Sequence, residues 1–199
     1  MTKENILCVT NRKLSREDFL IRIEKIAKAQ PKGIILREKD VSKDEYRILA
    51  GRVLEICQTY NTTCILHSFV DIAKELKGTA IHLPFPILRM LSDMDKSKFT
   101  ILGASCHSIE EAKEAEHLGC TYIIAGHIFE TDCKKGLPCR GVDFLEKVCK
   151  SVRIPVYAIG GIDAQNMQKI KNTNAAGACV MSGIMTCENP MQYLDKLTI

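Results

Sequence analysis

Short apolar runs separated by amphipathic stretches recur from one end of the chain to the other. The runs Ile6–Thr10, Gly33–Glu38, Cys64–Ser68, Ala80–Leu83, Thr100–Ser105, Tyr122–His127, Pro155–Gly161 and Gly177–Gly183 read as strands. Several are rich in Ile and Val and apolar on both faces, which is the pattern of parallel strands buried on both sides. The segments between them read as helices. Ser42-Lys43-Asp44-Glu45 and Ser108-Ile109-Glu110-Glu111 each place Glu three residues after Ser, the signature of a capping box. After Ser15 the chain turns acidic at Glu17 and Asp18 and then carries Phe19, Ile23 and Ile26 at helical spacing. Eight strand–helix units with no linker or low-complexity tract predict an α/β fold, a single-domain (β/α)8 TIM barrel spanning 1–199. A doubly wound open sheet shares the local pattern. It seldom needs eight strands in so few residues, and no G-x-G-x-x-G follows the first strand.

Composition narrows the class. The chain has 199 residues, 46% of them hydrophobic and 26% charged, enough for one sizeable core. Its N-terminus lacks the apolar stretch of a signal peptide, and no apolar run reaches membrane-spanning length. A cytoplasmic protein is expected, with no membrane partner. The ten cysteines are scattered and contain no C-x-x-C pair, so they read as reduced, mostly buried small hydrophobes. The net charge of +4 is mild, and Lys and Arg alternate with Asp and Glu along the helices. These are solvated faces, and no nucleic-acid partner is expected.

In a barrel the chemistry sits at the carboxyl ends of the strands. The polar residues there are Arg37, Glu38 and Lys39, His67 and Ser68, His82, Ser105 and His107, and His127. The segment after the sixth strand, Gly126 to Gly141, gathers His127, Thr131, Lys134, Lys135 and Arg140. It places a proton-exchanging imidazole beside cations able to hold an anion. Gly160-Gly161 and Ser182-Gly183 end strands seven and eight, where barrels most often bind phosphate and where glycine lets backbone N–H groups approach an oxyanion. Gly160-Gly161 also has a purely geometric explanation as a tight strand-to-helix turn, and it is the pairing with Ser182-Gly183 one strand later that points to a phosphate. Four histidines near strand ends raise the idea of a metal, but the H-x-H pair and strand-end carboxylates of metallohydrolase barrels are missing. His82 and His107 are expected to be hydrogen-bonded structural residues. Arg37 and Lys39 alternate along strand two and so should share a side, balanced by an anion or by Glu38.

The sequence resembles the thiamine phosphate synthase superfamily over essentially its whole length. Leu36-Arg37-Glu38-Lys39 looks like the strand-two Q-L-R-x-K, Gly103-Ala104-Ser105-Cys106-His107 like the G-x-S-x-H after strand five. Ala158-Ile159-Gly160-Gly161-Ile162 and Met181-Ser182-Gly183-Ile184 look like the two phosphate motifs. Residues 126–142 are closer to the TenI branch, the thiazole tautomerases. The chain also departs from the synthase pattern: Ile35 replaces a Gln, His67-Ser68 an Asn-Asp, and the Asp after strand four is absent from His82-Leu83-Pro84-Phe85-Pro86. Both magnesium-binding carboxylates are gone.

The resemblance therefore implies a thiazole tautomerase, an isomerase with no metal and no cofactor, acting on a small phosphorylated thiazole. His127 is the expected acid–base residue, with Arg37, Lys39, Ser105, Thr131 and Lys134 binding substrate and Gly160, Gly161, Ser182 and Gly183 binding its phosphate. Two alternatives stand beside it: a thiamine phosphate synthase joining a pyrimidine diphosphate to a thiazole phosphate, and a non-catalytic thiazole or thiamine phosphate-binding regulator. A homodimer is expected from family habit.

Overall fold

The computed structural model describes residues 1–131 and 136–198. Eight strands run in chain order: β1 Ile6–Val9, β2 Gly33–Leu36, β3 Cys64–His67, β4 Ala80–Pro84, β5 Ile101–Cys106, β6 Tyr122–Gly126, β7 Val156–Ile159 and β8 Gly177–Val180. They hydrogen-bond in that order as one closed parallel barrel, the expected (β/α)8 arrangement. In register, Leu7 faces Gly33, Ile34 faces Cys64, Gly103 faces Tyr122 and Ile123 faces Val156. Strands β1, β2, β6 and β8 are buried at every position, as their two-sided apolar composition demands.

The chain divides into two compact units, Met1–Ile81 with Val180–Ile199, and His82–Cys179. In the first, α1 (Phe19–Lys28) is capped by Asp18, whose carboxylate accepts from Leu20 N and Ile21 N, and it buries Ile23 and Ile26 completely. The helix α2 (Lys43–Thr59) opens with the full capping box expected at Ser42 and Glu45. Short helices α3 (Val70–Glu75), α9 (Ser182–Thr186) and α10 (Pro190–Thr198) complete this unit.

In the second unit α4 (Phe85–Met90) and α5 (Asp93–Lys96) follow β4, and α6 (Ile109–His117), α7 (Gly141–Ser151) and α8 (Met167–Lys171) follow β5, β6 and β7. The box expected at Ser108 is only half formed. Ser108 Oγ accepts from Glu111 N, but the Glu111 carboxylate reaches back one residue further, to His107 N. No described helix is long and apolar enough to cross a membrane. The nine described cysteines are all free thiols.

Six of the eight strands stop before the polar residues or glycines assigned to their ends. The causes are local. Arg37 N–H donates to Thr10 Oγ1 (3.0 Å) instead of continuing a ladder. Ser68, Gly160 and Gly161 have φ of 65°, 106° and 63°, which no strand residue adopts. Arg37, Glu38, Lys39, Ser68, His107, His127, Gly160 and Gly161 are thus loop residues next to strand ends, whereas His67, His82 and Ser105 lie on the strands themselves.

Candidate active site

In the first unit the site builds on Glu38, which is 3% exposed. Its Oε1 accepts from Thr10 Oγ1 (2.6 Å) and from Arg12 N (3.1 Å), and its Oε2 from the same Arg12 N (3.0 Å). The Arg12 guanidinium adds an ion pair at 3.6 Å and also binds Asp40. Together with Lys13, Arg12 holds the Asp40 carboxyl at a pKa of about 2. Glu38 therefore turns to Thr10 and Arg12, and its charge is not what balances Arg37 and Lys39. Because β2 ends at Leu36, those two cations are not alternate residues of one strand: Arg37 is half-buried and Lys39 exposed.

The end of β3 meets the same cations. Tyr46 from α2 donates its hydroxyl to Leu36 O (2.8 Å) and accepts from His67 N (2.9 Å), clamping β3 to β2. His67 is buried, with Nδ1 2.7 Å from Ser68 Oγ. Burial first, then the fields of Arg37 and Lys39, push its pKa down to about 3, so it is neutral at physiological pH. This end of the unit carries net positive charge.

The donors for a divalent metal are not here. Glu38 has both oxygens engaged, His67-Ser68 occupy the position of the Asn-Asp, and no cluster of three or more His, Cys, Asp or Glu occurs among the described residues. Magnesium needs several oxygen ligands, and Arg37 and Lys39 would repel it. The residues present do not fit the synthase metal site.

Replacing Glu38 with Ala should destabilise the fold by about 1–3 kcal/mol, because the Thr10 hydroxyl and Arg12 N–H lose their buried acceptor. Urea unfolding of the variant checks this. An unchanged midpoint would mean that water replaces the carboxylate.

In the second unit three side chains form a chain of hydrogen bonds. His82, 2% exposed on β4, contacts Tyr122 Oη through Nδ1 (3.0 Å) and Ser105 Oγ through Nε2 (2.8 Å). Nothing in the sequence marked Tyr122, although its register partner Gly103 leaves the space that its ring fills. His107 is exposed and its Nδ1 donates to Gly126 O (3.1 Å), a structural bond of the kind expected for it.

The Gly126–His127 peptide is cis. His127 is 7% exposed, with Nε2 3.3 Å from Leu137 O, and its Nδ1 is buried without a hydrogen-bond partner among the described residues. Its Cβ lies where a side chain on Gly160 would go, 2.5 Å from the ideal Cβ position. Gly161 packs closer still against the backbone, its ideal Cβ position being 2.1 Å from Glu130 O. Thr131 is half-buried, and Lys134 and Lys135 lie outside the described residues. Arg140 stacks its guanidinium 4.8 Å over the Phe144 ring. In the other unit Ser182 is exposed at the start of α9. Gly183 owes its missing side chain to Tyr193, whose hydroxyl lies 2.1 Å from the ideal Cβ position.

A family model described as thiamine monophosphate synthase matches residues 6–184. The chain belongs to that family. It is 36% identical over 198 residues to a thiamine-phosphate synthase of Fusobacterium nucleatum, covering 96% of this chain and 95% of that protein. It is 37% identical over 168 residues to a thiamine-phosphate synthase of Clostridium tetani, covering 82% and 78%. Among solved structures, thiamine phosphate pyrophosphorylase from Pyrococcus furiosus superimposes with a TM-score of 0.83 at 26% identity, over 99% of this chain and 95% of the other.

These relatives overturn the tautomerase expectation. That expectation rested on residues 126–142 and on two missing carboxylates, whereas the likeness to proteins named as synthases runs the length of the chain.

Proposed function

We propose that the protein is a thiamine-phosphate synthase, joining a pyrimidine diphosphate to a thiazole phosphate. The observation that carries the reading is the full-length likeness to the Fusobacterium synthase. In the reaction the thiazole nitrogen forms a C–N bond to the pyrimidine methylene carbon while the C–O bond to diphosphate breaks. Thiamine phosphate and free diphosphate result.

The demand on the protein is to bear the negative charge of the departing diphosphate. Arg37 and Lys39 are suited to it, with Glu38 drawn away to Arg12 and His67 kept neutral beside them. Gly160 and Gly161 in the one unit, and Ser182 and Gly183 in the other, are the residues assigned to phosphate. Backbone N–H groups at such turns approach an oxyanion without a side chain intervening. Thr131 and Lys134 are assigned to substrate as the family motif implies, and Ser105 to the reacting centre. No step is routed through a metal, because the donors do not fit one.

The test is direct. Purified protein given the pyrimidine diphosphate and the thiazole phosphate is expected to form thiamine phosphate, detected after oxidation to its fluorescent thiochrome. Binding of both substrates with no product at any magnesium concentration would sink the enzymatic reading and favour a binding protein.

A further inference from the structure

Ser105 lies on β5 with one described hydrogen-bond partner, His82 Nε2. The direction of that bond follows from the far end of the chain of contacts. Tyr122 is buried, and burial of its phenol raises its pKa well above the ordinary value, so it keeps its proton. Its only described hydrogen bond is to His82 Nδ1, and a buried hydroxyl proton needs an acceptor. Tyr122 O–H therefore donates to Nδ1. In a neutral imidazole the proton then sits on Nε2, and Nε2–H donates to Ser105 Oγ. With that oxygen accepting from His82, the Ser105 proton is free to point away from the protein interior.

Each member is held. Tyr157 meets the Tyr122 ring edge-on at 5.8 Å. The ideal Cβ position of Gly103 is 2.1 Å from the Tyr122 ring, so only glycine there lets the ring reach His82. His82 itself is almost wholly buried and cannot swing out.

We propose that His82, oriented by Tyr122, is a positioning residue that fixes Ser105 as an outward hydrogen-bond donor to the substrate. This rests on the synthase reading for the identity of the group that receives the bond, a diphosphate oxygen gaining charge as the C–O bond breaks. The orientation of His82 itself does not depend on that reading.

Kinetics on four variants test it. His82→Leu should lower kcat roughly 10²-fold, the usual loss for one preorganised donor, with KM changed far less. His82→Gln, whose terminal amide N–H can stand in for Nε2–H, should recover most of the rate. Ser105→Ala should match His82→Leu, and the double variant should lose no more than either single one. A double variant that loses the product of both factors, or a Gln variant as poor as Leu, would show that His82 only supports the fold. A separate readout, nitrogen NMR of the imidazole in the wild-type protein, should find the Nε2–H tautomer, and Tyr122→Phe should lose that preference. An Nδ1–H tautomer in the wild type would overturn the relay. If the Nε2–H tautomer is found but no thiamine phosphate is made, the synthase reading has failed and the positioning of Ser105 stands.

Discussion

Gly161→Val should destabilise the protein by about 2–5 kcal/mol, with part of the cost in backbone strain and part in overpacking. The residue sits at φ +63°, where a β-branched side chain is strongly disfavoured. Its ideal Cβ position is 2.1 Å from Glu130 O and 3.0 Å from Phe129 Cβ. The first of these is a backbone atom in a segment that Phe129 N pins to Gly160 O, so it cannot swing aside as a side chain would. Asn166 Nδ2 also donates to Gly161 O at 2.7 Å, tying the turn to the start of α8. Denaturant unfolding would show the loss as a lower midpoint. Gly161→Ala should fold better and reveal the second consequence, weaker binding of inorganic phosphate. A Val variant of wild-type stability would mean that the turn opens away from Glu130 at little cost.

That turn also shows what sequence could and could not tell. The barrel was legible because its strands are apolar on both faces and recur eight times, a pattern set by burial and independent of detail. Strand ends were read too long, since an Ile-Gly-Gly run looks extended until its positive φ is known. Arg37 and Lys39 were placed on one side by strand alternation, yet the strand had already ended because Thr10 takes the Arg37 N–H. Side-chain hydrogen bonds of this kind join residues 27 or 28 positions apart and leave no periodic trace. Tyr122 was missed for the same reason. Only its register with Gly103 could have hinted that the ring crosses a bare strand to meet His82. The functional assignment erred differently. It weighted one loop and two absent carboxylates above the match over the rest of the chain, although the absent carboxylates remain a real feature of this site.

Wild-type protein should lose stability on acidification through His67 alone by about 1.4 kcal/mol per pH unit between its unfolded and folded pKa values. The sign follows from which state binds the proton. His67 titrates near 6.5 when unfolded and near 3 when folded, so between those values only the unfolded chain is protonated. The contribution is complete above pH 6.5, declines as pH falls, and approaches about 5 kcal/mol of lost stability by pH 3. Burial is the largest cause, and the positive fields of Arg37 and Lys39 add to it. The measurement is the difference in pH slope between wild type and His67→Gln over pH 4.5 to 6, where carboxylates common to both proteins cancel. Equal slopes would show that His67 is not held neutral. The cause can be separated as well, because Arg37→Gln should raise the His67 pKa by removing one cation's field. Inorganic diphosphate bound at Arg37 and Lys39 should raise it in the same direction by cancelling that field. If saturating diphosphate left the His67 titration where it was, while Arg37→Gln moved it, the anion would have to bind somewhere other than the ends of β2 and β3.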